Sequence, residues 1–240
     1  MEAAMPRVLL VVTSHAQLGS STIPTGVGLQ TFAAPYYVLT EAGVQVTVAS
    51  VAGGEPPTDP LSFGEGVETA ALQRLIADDV ALAAFQDSRP LSTIDSDVVD
   101  GLFFAGGHGG MWDLPADPAV ARLVAGTLDA GKPVAAVCHG VAALCGRHPD
   151  TGRSFVEGKN VTGLTTREET ELERQELVPF LLQERLVELG AQFTEAPMFT
   201  SHVVIDGPLI TGQNMRSADQ ASRLLLAELA ARRAAERPTR

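Results

Sequence analysis

The chain has only two cysteines, one tryptophan and two tyrosines in 240 residues, and 17 lysines and arginines stand against 29 acidic residues. Each shortage excludes a class of protein. Two cysteines cannot build the disulfide framework of a small secreted domain, and no secretory apolar segment opens the chain, so free thiols in a reducing, cytoplasmic setting are expected. A net charge of −12 leaves no broad basic surface for nucleic acid or an anionic membrane. The one basic cluster, Arg232, Arg233, Arg237 and Arg240, sits at the C-terminal end, where it complements a helix dipole or forms a solvated tail. The apolar run at residues 8–12 is far too short to span a bilayer. The sequence also lacks H-E-x-x-H and C-x-x-C spacings. His15, His108, His148 and His202 are scattered, so no structural metal is expected and no cofactor is called for.

What is present is a hydrophobic content of 45%, enough for one large domain over residues 1–240 with a sizeable core. Short apolar runs alternate with helical patterns, which predicts an α/β fold: a mostly parallel sheet covered by helices on both faces. Strands are expected at residues 7–13, 44–50, 98–105, 134–137, 159–162, near Phe193 and over 203–211. Helices are expected at 29–42, 118–130, 177–189 and 217–233. Between residues 51 and 96 the pattern loosens into a turn-rich loop and a helical stretch, 68–85, with a break near Asp78 and Asp79. This segment reads as an excursion from the sheet.

The chemistry points to residues 133–140, Pro-Val-Ala-Ala-Val-Cys-His-Gly. An apolar strand that stops at Cys138, with the small residues Ala136 and Gly140 two positions either side, has the form of a nucleophile elbow carrying cysteine. A helix starting there places partial positive charge beside the sulfur and favours the thiolate. The alternative is a cysteine that simply fills the core, since free cysteine is among the most buried residue types. Gly106-Gly107-His108-Gly109-Gly110 follows the preceding strand. If that strand and the elbow strand are neighbours, the amides of Gly107 and His139 converge on one carbonyl oxygen attached through Cys138. His139 needs a third group to orient its ring, and Glu168 or Glu169 could supply it. Cys145 reads as a buried helical residue rather than a resolving thiol.

These residues resemble the ThiJ/PfpI superfamily, relatives of the class I glutamine amidotransferases, and specifically its glyoxalase III and chaperone-like branch. The likeness is carried by Val12-Thr13-Ser14-His15, Thr25-Gly26-Val27, Pro35-Tyr36-Tyr37 and Ala105-Gly106-Gly107-His108-Gly109-Gly110-Met111-Trp112-Asp113. It continues through the elbow, Glu157-Gly158-Lys159-Asn160-Val161-Thr162-Gly163, Glu168-Glu169 and Thr211-Gly212-Gln213-Asn214. The resemblance implies a flavodoxin-like three-layer sandwich, commonly a homodimer, acting on a small molecule. It implies Cys138 as nucleophile, His139 as its partner and Glu169 as the carboxylate orienting the histidine. Gly106, Gly107, His108, His139, Thr31 and Trp112 are then the oxyanion- and substrate-binding residues.

One departure stands out. The branch carries a first-helix glutamate four residues before the proline, positioned to shuttle protons at the sulfur, and that position is Thr31 here. Gln30 is a poor substitute, because adjacent helical residues point about 100 degrees apart. A threonine hydroxyl is no general acid or base near neutral pH. The expectation is therefore a cysteine-dependent lyase or hydrolase acting on an electrophilic carbonyl, with weak or absent methylglyoxal conversion. A holdase chaperone or a cysteine redox sensor is the alternative, and a glutaminase fits less well. Met215-Arg216 is a further departure: the guanidinium either faces solvent or recognises an anionic substrate.

Overall fold

In the computed structural model, which describes residues 5–64 and 66–236, the apolar runs form nine strands: β1 (Arg7–Val12), β2 (Gln45–Ser50), β3 (Arg89–Pro90), β4 (Gly101–Phe104), β5 (Val134–Val137), β6 (Asn160–Val161), β7 (Gln192–Phe193), β8 (Val203–Asp206) and β9 (Leu209–Gly212). Seven of them make one sheet in the order β3-β2-β1-β4-β5-β9-β8, parallel except for β8, while β6 and β7 pair separately. The helices are α1 (Leu29–Glu41), α2 (Ala70–Ile76), α3 (Asp79–Gln86), α4 (Gly110–Asp113), α5 (Pro118–Asp129), α6 (Thr166–Glu171), α7 (Leu182–Glu188) and α8 (Ala218–Glu236). None of the described helices is long and apolar enough to cross a membrane.

Strand side chains alternate between two faces, and here each face has its own core. Leu9, Val11, Leu102, Phe104, Val134 and Ala136 pack with α5 and α7 on one side. Val8, Leu10, Phe103, Ala135, Val137 and Ile210 pack with α1, α2, α3 and α8 on the other. Burial on both faces explains why β1, β4 and β5 read as unbroken apolar runs. The result is the expected flavodoxin-like sandwich. Because β1 lies between β2 and β4, and β4 between β1 and β5, the loops leaving the carboxyl ends of β1, β4 and β5 gather at one edge. Open α/β sheets bind ligands there.

Several expected boundaries move. The helix expected over 177–189 begins only at Leu182; Pro179 disfavours helical geometry at Val178, and the chain turns instead. Residues 98–105 start as a short 3-10 turn, so β4 is only four residues long. Residues 203–211 form an antiparallel hairpin reversed at Gly207, whose φ is 59°. Glu168 and Glu169 lie on a short helix: Thr165 and Glu168 form a reciprocal capping box that opens α6. The excursion over 51–96 rejoins the sheet through β3, and Asp78 separates α2 from α3 by capping the latter. At the C-terminal end, Arg232 donates to the Ala130 and Gly131 carbonyls that end α5. Arg237 and Arg240 lie outside the described residues.

Candidate active site

Strand β5 ends at Val137, and the next residue turns sharply. Cys138 has φ 55°, a left-handed conformation that costs a residue with a side chain on the order of 1–3 kcal/mol. The glycines around it make the turn sterically feasible. A Cβ on Gly140 would lie 2.5 Å from the Phe104 and Ala105 carbonyl oxygens, and one on Gly106 would lie 2.6 Å from the Cys138 Cβ. The elbow is therefore real, and it opens a 3-10 helix, Cys138–Cys145.

Cys138 lines a cavity of about 330 Å³ with Gly107, His108, His139, Thr31 and Asp59, under apolar walls that include Leu164, Leu172 and Phe199. Its sulfur lies 3.6 Å from Nδ1 of His139. The far nitrogen of that ring, Nε2, is 2.8 Å from Oε2 of Glu169. Of the two candidate glutamates, Glu169 is thus the one that orients the histidine.

The hydrogen-bonded chain extends further than the sequence indicates. Oε1 of Glu169 lies 2.8 Å from Nε2 of His108, and Nδ1 of His108 lies 3.3 Å from Oδ2 of Asp59. Asp59 is completed by the Thr25 hydroxyl at 2.8 Å and the Leu61 amide at 3.0 Å. Asp59, His108, Glu169 and His139 are all buried, so five titratable side chains connect in sequence from Asp59 to the sulfur. Their pKa shifts follow the pairing. For Glu169 burial favours the neutral acid, yet His139 and His108 outweigh it and hold the carboxyl far below its ordinary range. Burial pulls His108 down, and hydrogen bonds to Asp59 and Glu169 more than reverse this, so it ends above 6.5. Burial and then His108 lower His139, but Glu169 and Cys138 carry it above 6.5 as well. Asp59 is lowered despite burial, chiefly by His108. The pairing lowers the proton affinity of the carboxylates and raises that of the imidazoles between them. Donor atoms of His108, His139 and Glu169 lie within 4.8 Å of one another, a spacing that could hold a metal ion, although here they bond to each other.

The remaining expected site residues fall in two groups. Gly107 lines the cavity, and its amide has no acceptor among the described residues. Its φ of 117° and the 2.2 Å separation of a Cβ there from the Gly26 carbonyl oxygen require glycine. The Gly106 amide, by contrast, is spent on the Thr31 hydroxyl at 2.8 Å. Thr31 in turn donates to the Gly28 carbonyl at 2.6 Å, so its hydroxyl fastens the glycine loop to α1. His108 commits both nitrogens to carboxylates, which places it in the relay rather than in an oxyanion hole. Trp112 lies away from the cavity lining and stacks on His15 with centroids 4.8 Å apart. Met215 and Arg216 do reach the cavity.

Sequence reasoning missed Asp59. Its only local signal is Asp before Pro, a helix-start pattern that Asp59 indeed serves at Pro60–Phe63. The approach of residues 57–59 to 25–28 brings it inward: the Val27 amide donates to Pro57 and the Asp59 amide to Val27. A Cβ on Gly26 would lie 2.1 Å from the Pro57 carbonyl oxygen, so glycine there is what admits the loop.

Comparisons with known proteins agree with this fold. The chain is 30% identical to the glutathione-independent glyoxalase hsp3101 of Schizosaccharomyces pombe, covering 90% of this chain and 93% of that protein. Among solved structures, the Rapid Encystment Protein 24 KDa of Francisella tularensis superposes with a TM-score of 0.88 at 34% identity, covering 94% and 99% of the two chains. Glyoxalase III of Candida albicans superposes with a TM-score of 0.82 at 25% identity, covering 93% and 97%. Likenesses along nearly the whole chain, together with a family model that matches residues 23–228, establish that the chain belongs to the DJ-1/PfpI family.

Proposed function

We propose that the protein is a cysteine-dependent enzyme that forms a covalent adduct with a small electrophilic carbonyl compound. The observation that carries this reading is the placement of the Cys138 sulfur in the cavity, 3.6 Å from an imidazole whose other nitrogen is fixed by a buried carboxylate. With Nε2–H donating to Glu169, Nδ1 faces the thiol and can accept its proton. The thiolate adds to the carbonyl carbon, a C–S bond forms, and the carbonyl π pair moves onto oxygen. The free Gly107 amide, with that of His139, stabilises the oxyanion, which then takes the proton back from His139.

For a 2-oxoaldehyde the adduct would continue by loss of the aldehyde-carbon proton and reprotonation at the adjacent carbon, giving a 2-hydroxy thioester. Water then releases the 2-hydroxy acid, so the sum is aldehyde plus water. The glyoxalase relatives support this route. However, α1 contributes Gln30 and Thr31 to the cavity lining, and the Thr31 hydroxyl is engaged with Gly28 and Gly106, so neither supplies a carboxyl to move that proton. Loss of a general acid or base costs about 100- to 10,000-fold, and we expect methylglyoxal turnover to be slow, with hydrolysis, hydration or cleavage of another carbonyl compound favoured.

The test is a carbonyl panel with the native protein and Cys138→Ala, following product and adduct mass. Turnover or a covalent adduct confined to the native chain is expected. An unchanged activity in Cys138→Ala would overturn the nucleophile, and rapid Cys138-dependent lactate formation from methylglyoxal would overturn the shifted chemistry.

A further inference from the structure

We propose that Arg216 is a specificity determinant which selects carbonyl substrates bearing a carboxylate, an inference that rests on the function proposed for Cys138. Arg216 lies on the 3-10 turn Met215–Ser217, directly after β9, and lines the cavity that holds the sulfur. Its backbone is fixed. Its amide donates to Oδ1 of Asn214 at 3.0 Å, and Asn214 is itself buried and bonded to Glu168 at 2.7 Å. The side chain reaches across the rim to the Gly66 carbonyl, 3.1 Å from Nη2. That carbonyl is 150 residues away in sequence, on the segment that also contributes Asp59, Leu61 and Val67 to the lining.

A carbonyl uses one N–H without cancelling the guanidinium charge, and no carboxylate among the described residues forms an ion pair with Arg216. Four further N–H donors remain for a planar anion, which arginine grips in a bidentate fork. Charge bookkeeping shows why one is needed. The relay brings two carboxylates, Asp59 and Glu169, against at most two positive charges on His108 and His139, so a Cys138 thiolate gives the cavity at least one net negative charge, inside a chain of −12. An anion would be repelled, and Arg216 is the cationic lining residue outside the relay that offsets this charge. Its place at the rim, among Leu61, Val67 and Phe199, suits a compound with a reactive carbonyl at one end and a carboxylate at the other.

The experiment measures alkylation of Cys138 by iodoacetate and by iodoacetamide, in which the same thiolate displaces iodide from an anionic or a neutral reagent. In Arg216→Gln the iodoacetate rate should fall about fivefold relative to the iodoacetamide rate, the upper range for an exposed charge pair. Arg216→Lys should keep most of the ratio, and Arg216→Glu should lower it further. Salt should compress all of these differences. If Arg216 merely latches the rim, its loss changes both rates together and leaves the ratio unchanged, which overturns the proposal. Protection against iodoacetamide completes the test: glyoxylate should protect the native protein at lower concentration than methylglyoxal, and equal protection would also overturn it. Failure of both reagents to modify native Cys138 would instead overturn the nucleophile itself.

Discussion

On α6, Glu169 meets two imidazoles, whereas Glu168, one residue earlier, meets five uncharged donors: the Thr165 amide and hydroxyl, the Phe199 amide, and the side-chain amides of Gln213 and Asn214. Both carboxylates are buried. Partners that can gain or lose protons tie Glu169 to the chemistry of the sulfur. Partners that cannot titrate make Glu168 a junction that fastens α6 to the segment after β9, and through Asn214 to the turn carrying Arg216. Burial alone therefore does not identify a reactive acid; the titratability of its neighbours does. The difference breaks most visibly at Glu169→Gln. An amide can still touch both rings but carries no charge to hold His139 cationic, and Cys138 alkylation and any turnover should fall about 100- to 10,000-fold. Stopped-flow alkylation at fixed pH would measure it, and native rates in this variant would show that the two glutamates do not differ in the way described.

Glu168→Ala should act on the fold. Five donors lose their acceptor, and with water entering part of the vacated space the cost is about 3 kcal/mol, read from the urea midpoint at constant m-value. Glu168→Gln keeps one accepting oxygen and should cost less. Equal stability of native and Glu168→Ala proteins would remove the junction.

The pH dependence of stability separates the two sites by a smaller margin. Glu169 and Asp59 are lowered from ordinary values of 4.5 and 3.8, so their contribution is present above those values and lost as pH falls through the depressed ones. His108 and His139 are raised from 6.5, so theirs is complete below 6.5 and lost as pH rises through the raised values. Stability from the relay should thus be greatest between about pH 4.5 and 6.5 and decline on the alkaline side. Thermal melts of His108→Asn should show a shallower alkaline decline; an unchanged slope would mean the imidazole carries no proton there.

Much of this site is legible without coordinates because its parts follow strand ends. A parallel strand buried on both faces must terminate in an abrupt polar or glycine-rich turn, so the elbow at Cys138 and the loop at Gly106 announce themselves, and with them the layering of the sandwich. Residues whose role depends on approach between distant loops leave no such trace. Asp59 looks like a turn residue because locally it is one, and only the contact admitted by Gly26 makes it the end of the relay. His108 is visible as a cavity residue, yet its two carboxylate partners lie 49 and 61 positions away, so its state cannot be inferred from its neighbours in sequence. Thr31 shows the reverse: the threonine is visible in the sequence, while the hydrogen bonds that occupy its hydroxyl are not.

The two cysteines extend the comparison along one helix. Cys138 opens the 3-10 segment with a left-handed backbone and an imidazole beside its sulfur, whereas Cys145 closes it within the apolar core, where burial pushes the thiol up to about 12. A thiol held protonated at neutral pH is a poor nucleophile however close it lies to surface reagents, because the thiolate is the reacting form. Cys145→Ala should therefore leave the rate and stoichiometry of neutral-pH alkylation at the native level, and peptide mapping should place the label on Cys138. The substitution also removes a sulfur packed against the apolar core, so a loss of about 1 kcal/mol in stability is expected. Label divided between the two positions would show that neither burial nor the imidazole distinguishes them, and would return Cys138 to the status of an ordinary cysteine at a strand end.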